Sequence, residues 1–285
     1  MHIKIPESVG QGASFNGQVV LVAGAGSADS GLSIGKATAL LFAHYGASVV
    51  ALDVDEALAK DTANNIEALG GQALAVQGDV SDRHAMEAAV QAAVDQFGGI
   101  DAYIANVGIG KMGGVMQTSS NDLTRIHQLN LDSLLIGSQL IIPLMKQRGG
   151  GAIVTLSSVA GLQYLGYPHL AYSVTKAGLI HFTRMIAQEY ANEGIRANTV
   201  VPGLINTPRV QKNIGQAFSA SGSRTEVTRK RDAQVPMGRM GTAWEIAQAV
   251  VFLASSQASY ITGTELVVDG GITGRFASVD ASGNT

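Results

Sequence analysis

The 285-residue chain contains no cysteine. That absence excludes a disulfide framework and thiolate chemistry, and it suits a reducing, cytoplasmic setting. A basic excess is also missing. Nineteen Lys and Arg stand against 22 Asp and Glu, for a net charge of −3. Such a balance offers little to hold a phosphate backbone, so nucleic acid is not an expected partner. No apolar run approaches the length of a membrane span, so no membrane partner is expected either. The first seventeen residues lack a continuous apolar core and do not read as a signal peptide. No internal repeat, linker or metal-ligand set stands out.

What is present is apolar bulk, 46% of the residues, with only 14% charged. This composition suits a compact soluble enzyme with much buried surface. The length allows one large α/β domain. The expectation is a single domain over 1–285, with a loose N-terminal arm at 1–16 and a tail at 275–285.

Short apolar runs alternate with helical patterns. Strands are expected at Val19–Ala23, 47–52, 73–76, 100–105, Gly151–Leu156, 196–201 and 264–268. Helices are expected at 34–45, 55–69 and 81–97, the last capped by Ser81 or Asp82, with long helices between the later strands. Thr242 and Glu245 have capping-box spacing for a late helix. Alternating βα units imply a Rossmann-type, doubly wound parallel sheet of about seven strands, with helices on both faces. One expected helix, 121–147, is apolar on every side. A helix on a sheet needs only a stripe, so the excess points to a subunit interface or to deep burial within one chain.

The first strand runs into Gly24-Ala25-Gly26-Ser27, and Ile34-Gly35 opens the next helix. Strand, glycine turn and helix form a dinucleotide-binding arrangement. Glycines admit the pyrophosphate, and the helix N-terminus supplies N–H groups and partial positive charge. Asp53 closes the second strand, where a carboxylate can accept both ribose hydroxyls and would repel a 2′-phosphate. No Lys or Arg follows it closely, and Lys36 lies inside the helix. NAD is therefore expected rather than NADP. Asp79, before Val80, can bond an adenine edge; a plain turn is the alternative.

Tyr172 and Lys176 stand four apart, one helical turn on one face. A free phenol has a pKa of about 10, and a fixed cation beside it favours the phenolate. The pair can act as a general acid–base near neutral pH.

These pieces occur in one order with Asn106-Val107-Gly108, Asn130, Ser157-Ser158-Val159-Ala160-Gly161, Pro202-Gly203-Leu204-Ile205-Asn206-Thr207, Ile261-Thr262-Gly263 and Val268-Asp269-Gly270-Gly271. The set strongly resembles the short-chain dehydrogenase/reductase family, from about Gly17 to Gly271. The resemblance implies an NAD(P)-dependent oxidoreductase with a Ser–Tyr–Lys–Asn tetrad, and a homo-oligomer, tetramer or dimer. It assigns Tyr172 as acid–base and Lys176 as its modulator and a holder of the nicotinamide ribose. Ser158, which directly precedes Val159-Ala160-Gly161, is implied as the ligand of the substrate oxygen. Asn130 is implied to hold a relay water leading to Lys176. Gly24, Ser27, Ser33, Ile34, Gly35, Asp53, Asp79, Val80, Asn106, Gly108, Pro202, Gly203, Ile205 and Thr207 fall at cofactor-contacting positions, with Ile205 and Thr207 at the carboxamide.

Three departures accompany the resemblance. Ala23 replaces the usual threonine before the first glycine. About five extra residues, 28–32, lengthen the phosphate turn, and Ser33 stands where a middle glycine is usual. The motif Asn-Asn-Ala-Gly appears as Ala105-Asn106-Val107-Gly108.

On the substrate side, Ile109, Met112, Leu204 and the 162–170 stretch form an expected, mostly apolar pocket. Gln163, Tyr164 and Tyr167 are candidate contacts. Tyr164, Tyr167 and His169 contact a ring or second oxygen, or simply pack the loop. Residues 209–233 hold the family's lid position. Their basic run, Arg229-Lys230-Arg231, steers an anionic substrate or forms a solvated helix face. The expected reaction is NAD-dependent interconversion of a secondary alcohol and a ketone. The alternatives are an NADPH-dependent 3-oxoacyl-type reductase and a non-catalytic nucleotide-sensing or scaffold protein.

Overall fold

Val19–Ala23 (β1) is buried at every position. Side chains alternate across a strand, so Val20 and Val22 enter one apolar core while Val19, Leu21 and Ala23 enter another. A strand that is apolar on both faces fits the middle of a parallel sheet covered on both sides. The computed structural model describes residues 5, 13–28, 31–208 and 224–275. After β1 come α1 (Ile34–His44), β2 (Ser48–Asp53), α2 (Glu56–Ala68), β3 (Gln72–Gln77), α3 (Arg83–Phe97) and β4 (Ala102–Ala105). Next are α4 (Ser120–His127), α5 (Ser133–Gln147), β5 (Gly151–Leu156), α6 (Leu170–Tyr190) and β6 (Ile195–Pro202). Then follow α7 (Arg224–Asp232), α8 (Ala243–Ala254) and β7 (Glu265–Val268).

The seven strands lie in the order β3-β2-β1-β4-β5-β6-β7, and every pairing is parallel. One core packs α1 and α8 against the sheet; the other packs α3, α5 and α6 against its opposite face. This is the expected Rossmann-type α/β fold. The strand order reverses between β1 and β4, which opens a crevice beyond their C-terminal ends.

Two expectations change. The helix expected at 121–147 is interrupted by a π-helical turn at Gln128–Asp132. Its Asn130 side chain bonds outward to the chain after β4. A π turn between α-helical segments is often a functional feature. Part of the expected loose arm is fixed: Phe15 is fully buried and packs edge-on against Phe42, ring centroids 4.9 Å apart. Its backbone N–H donates to the Tyr45 carbonyl at 2.8 Å. Residues 1–4 and 6–12 of that arm, residues 209–223 of the expected lid and residues 276–285 of the tail lie outside the described residues.

Candidate active site and cofactor cleft

The glycine turn is tied to β2. The N–H groups of Gly24 and Ala25 donate to the Leu52 carbonyl, at 2.8 and 3.0 Å. Gly24 has φ +71°, a left-handed conformation that favours glycine. A Cβ at Gly35 would overlap the Gly24 carbonyl oxygen, so only glycine lets α1 approach this closely. Asn106 at the end of β4 donates its side-chain amide to that same carbonyl, at 3.0 Å.

Residues 29–30 of the lengthened turn lie outside the described residues, and the flanking residues are joined by two hydroxyls. Ser27 Oγ donates to the Gly31 carbonyl at 3.0 Å and accepts from Ser33 N at 2.9 Å. Ser33 Oγ donates to the Gly26 carbonyl at 2.7 Å and accepts from Lys36 N, capping α1. The serine in the usual glycine position thus joins the inserted loop to the helix start, with Ile34 as first helical residue. Gly31 lies against Pro208, next to Thr207.

Asp53 accepts from Gly26 N at 2.8 Å and from Asp55 N at 3.1 Å. A carboxylate has about four acceptor sites, so it retains capacity for hydroxyl donors. Lys36 is buried and paired with Asp61, which turns its charge away from Asp53. Asp79 is a turn residue: its Oδ1 accepts from both the N–H and the hydroxyl of Ser81. Val80 is buried beside it. Across the crevice, Gly203 N donates to the Val268 carbonyl after Pro202 closes β6. Leu204 and Asn206 bracket Ile205 and are pinned by backbone bonds to Gly241, and Thr207 is buried behind them. The glycine turn, helix N-terminus, Asp53 and pinned 204–207 turn form a cleft whose donors and acceptors suit a dinucleotide.

Tyr172 and Lys176 share one face of α6, with Lys176 Nζ 5.7 Å from the phenol ring centroid. Lys176 is buried and donates to the Leu156 carbonyl at 2.6 Å. Gly108 leaves room for it: a Cβ there would lie 2.7 Å from Nζ. The two serines diverge. Ser157 Oγ donates to the Lys176 carbonyl at 2.7 Å, which ties β5 to α6. Ser158 is extended and caps the short 3-10 turn Val159–Gly161, accepting from Ala160 N at 3.2 Å. Ser157 is thus occupied inside the fold, while Ser158 is only half-buried.

Asn130 is buried, and both its amide oxygen and its amide nitrogen bond to protein groups. It accepts from Ile109 N at 2.8 Å and donates to the Ile109 carbonyl at 3.0 Å and to Thr175 Oγ1 at 2.8 Å. Both N–H donors of this side chain brace protein groups, while its carbonyl oxygen keeps a second acceptor site. Thr175 was missed in the sequence. Its signal is a polar residue directly before Lys176, within the helix that carries the pair. Tyr103 provides a contrast: complete burial pushes its phenol well above the ordinary value, so it remains neutral.

His169 stacks on Tyr172, centroids 4.6 Å apart at 18°. Tyr167 follows at 6.2 Å from His169. Gln163, Tyr164, Tyr167 and Leu204 line one cavity of about 290 Å³, together with Arg231. Ile109 and Met112 do not line it. The expected solvated basic run also divides: Arg229 and Lys230 are exposed, but Arg231 is buried.

A family model described as enoyl-(acyl carrier protein) reductase matches residues 26–273. A cyclohexanol dehydrogenase from Acinetobacter sp. (strain SE19) is 37% identical over 263 residues, 92% of this chain and 97% of that protein. A Burkholderia xenovorans crystal structure assigned to the short-chain dehydrogenases/reductases superposes with TM-score 0.88 at 37% identity, covering 93% of this chain and 100% of that one. A 7α-hydroxysteroid dehydrogenase solved with NADH and 7-oxo glycochenodeoxycholic acid gives TM-score 0.77 at 30% identity, covering 90% and 95%. Fold, ordered motifs and these matches together make the chain a member of the short-chain dehydrogenase/reductase family, an NAD(P)-linked oxidoreductase of CH–OH donors.

Proposed function

We propose that the protein interconverts a secondary alcohol and a ketone with NAD. The observation that carries this reading is the Tyr172–Lys176 pair, with its buried ammonium anchored at the end of β5 beside Ser158. In oxidation, the phenolate of Tyr172 takes the hydroxyl proton; in reduction, the phenol returns it. The Lys176 ammonium favours the phenolate and lowers the barrier to that transfer. Ser158 holds the substrate oxygen. Asn130 keeps the Ile109 segment and α6 in register, which fixes the geometry of the acid–base. When bound, the nicotinamide supplies hydride exchange. Gly24, Ser33, Gly35 and the start of α1 would hold its pyrophosphate, Asp53 its adenosine ribose, and Ile205 with Thr207 its carboxamide.

Asp53 supports NAD over NADP because a carboxylate opposes a 2′-phosphate and Lys36 is committed to Asp61. The cyclohexanol and 7α-hydroxysteroid dehydrogenases, both named for cyclic alcohols, support a cyclic substrate. Absorbance of the reduced nicotinamide, followed with cyclic alcohols and ketones, tests the reading. NAD should give a kcat/KM at least about tenfold above NADP, about 1.4 kcal/mol. Tyr172→Phe should lose about 10²- to 10⁴-fold in kcat with cofactor affinity retained. Undiminished turnover in that variant would sink the mechanism; equal efficiency with NADP would sink the Asp53 argument. We also propose a homo-oligomer, tetramer or dimer.

A further inference from the structure

We propose that His169 is a positioning residue of the reaction: its ring, held against Tyr172 beside Gly110, fixes the plane of the phenol that exchanges the proton. The proposal rests on the alcohol–ketone reading above and adds to it a residue that holds the acid–base.

The phenol needs such a holder. The last side-chain torsion of a tyrosine is broad, so its rotamer alone does not fix the ring plane. Lys176 reaches the ring from one helical turn on, with Nζ 5.7 Å from the centroid. His169 supplies a flat face: the rings stack with centroids 4.6 Å apart and planes 18° from parallel. Gly110 closes the contact from the chain after β4. A Cβ there would lie 2.5 Å from His169 Nε2 and 2.9 Å from Tyr172 Cδ2. One glycine thus abuts both rings at once. Its backbone is not left-handed, so space rather than dihedral freedom explains the glycine.

Both sides of this contact are anchored. Asn130 donates to the Ile109 carbonyl at 3.0 Å, which fixes the peptide leading into Gly110. Further on, Gly113 N donates to the Pro168 carbonyl at 3.1 Å, and Leu170 N donates to the Gly113 carbonyl at 2.9 Å. These bonds flank His169 on either side. Asn130 also reaches α6 through Thr175, so the His169–Gly110 wall and the acid–base share one frame.

Neither capping nor core packing accounts for a histidine here. Ser33, Asp55, Asp82, Ser119 and Thr242 cap their helices with a side-chain oxygen. His169 stands at the same position of α6 and makes no side-chain cap bond. Ser, Thr, Asp and Asn are the residues that stabilise that position. His169 is also only half-buried. A departure from the local rule beside a reacting group is expected where function, rather than the helix, selects the residue.

The test compares wild type with His169→Phe, which keeps a flat ring, and His169→Leu, which keeps apolar bulk without one. Turnover is followed with cyclohexanol and NAD. His169→Leu should lose roughly three- to tenfold in kcat, the worth of one aromatic pair, with KM and cofactor affinity little changed. His169→Phe should stay within about twofold of wild type. Gly110→Ala leaves the imidazole in the chain but pushes a methyl into the ring contact, so it should resemble His169→Leu. A phenylalanine variant as slow as the leucine variant would overturn the proposal, since both lack the imidazole nitrogens. Equal losses in kcat and cofactor affinity would also overturn it, as the mark of general damage. A second readout needs no turnover. With 3-fluorotyrosine incorporated, the fluorine resonance lost in Tyr172→Phe belongs to Tyr172. It should move in His169→Leu and Gly110→Ala, and an unmoved resonance in both would overturn the positioning. Gly110→Ala decides where the His169 variants fold poorly. A resonance that moves as expected, in a protein that turns over no secondary alcohol or ketone, would sink the alcohol–ketone reading and keep the stack. Turnover with an unmoved resonance and undiminished kcat would do the reverse.

Discussion

Asn130 and Thr175 set how firmly the acid–base is held. Asn130 joins three points: the Ile109 backbone, its own π turn and, through Thr175, the helix carrying Tyr172 and Lys176. Thr175 Oγ1 also lies 3.0 Å from the carbonyls of Ala171 and Tyr172. Thr175→Val keeps the shape and removes the hydroxyl, which leaves one buried amide hydrogen of Asn130 without its acceptor. The expected loss is about 1–3 kcal/mol of stability, read as a lower urea midpoint. A several-fold fall in kcat with unchanged cofactor affinity should accompany it, because the tie lies beside Tyr172 rather than in the dinucleotide cleft. An unchanged midpoint would show that the tie contributes nothing. At this scale the sequence reveals residue types and spacing. Tyr172 and Lys176 could be paired from a helical period alone, whereas the partners of Asn130 lie 21 and 45 residues away and no local pattern announces them.

Helix starts were the most legible elements, because a cap is chemistry within four residues. Asp82 accepts from His84 N and Ala85 N, which selects it over Ser81 as the cap of α3. Thr242 and Glu245 form the expected capping box on α8. The spacing did not disclose Arg239, which grips Glu245 through both terminal nitrogens, at 3.0 and 2.6 Å. Arg239 is the main reason that the Glu245 carboxyl falls to about 2 from its ordinary 4.5, with the Thr242 bonds assisting. A carboxyl pKa depressed by folding adds stability above the unfolded value and loses it as pH falls toward the folded value. Glu245→Gln keeps the box geometry and removes the charge. Because the pair is partly exposed, the cost near pH 7 is discounted to at most about 1 kcal/mol, or roughly 2–4 °C in Tm. Thermal unfolding of both proteins should show this difference at pH 7, shrinking between about pH 4.5 and 2. A difference that grew with acidity would contradict the assignment. The phosphate turn was legible as a glycine turn but not in its path, since Ser33 works through bonds to Gly26 and Ser27 inside an insertion with no periodic signal.

Across the whole molecule, alternation of βα units was enough to anticipate a parallel, doubly covered sheet, because right-handed crossovers leave few other arrangements. Burial of individual charges was not accessible in this way: Arg231 sits in a run that reads as solvated, and only the tertiary structure turns it inward. The all-round apolar character of α5 is the remaining whole-molecule signal. Within one chain α5 buries Leu134, Ile141, Ile142 and Met145, yet leaves Leu135 43% exposed. On α6, Val174 and Met185 are 54% and 47% exposed. Single exposed apolar residues need no explanation. The argument for association rests instead on α5, whose outer side lacks the charged face that a surface helix ordinarily presents. Light scattering coupled to size exclusion should give two or four times the chain mass. Leu135→Lys places a charge where the partner would cover it, so it should shift that mass toward the monomer while the far-ultraviolet dichroism is unchanged. Wild-type protein that stays monomeric at high micromolar concentration would overturn the interface and leave the apolar girdle of α5 to packing within the single chain.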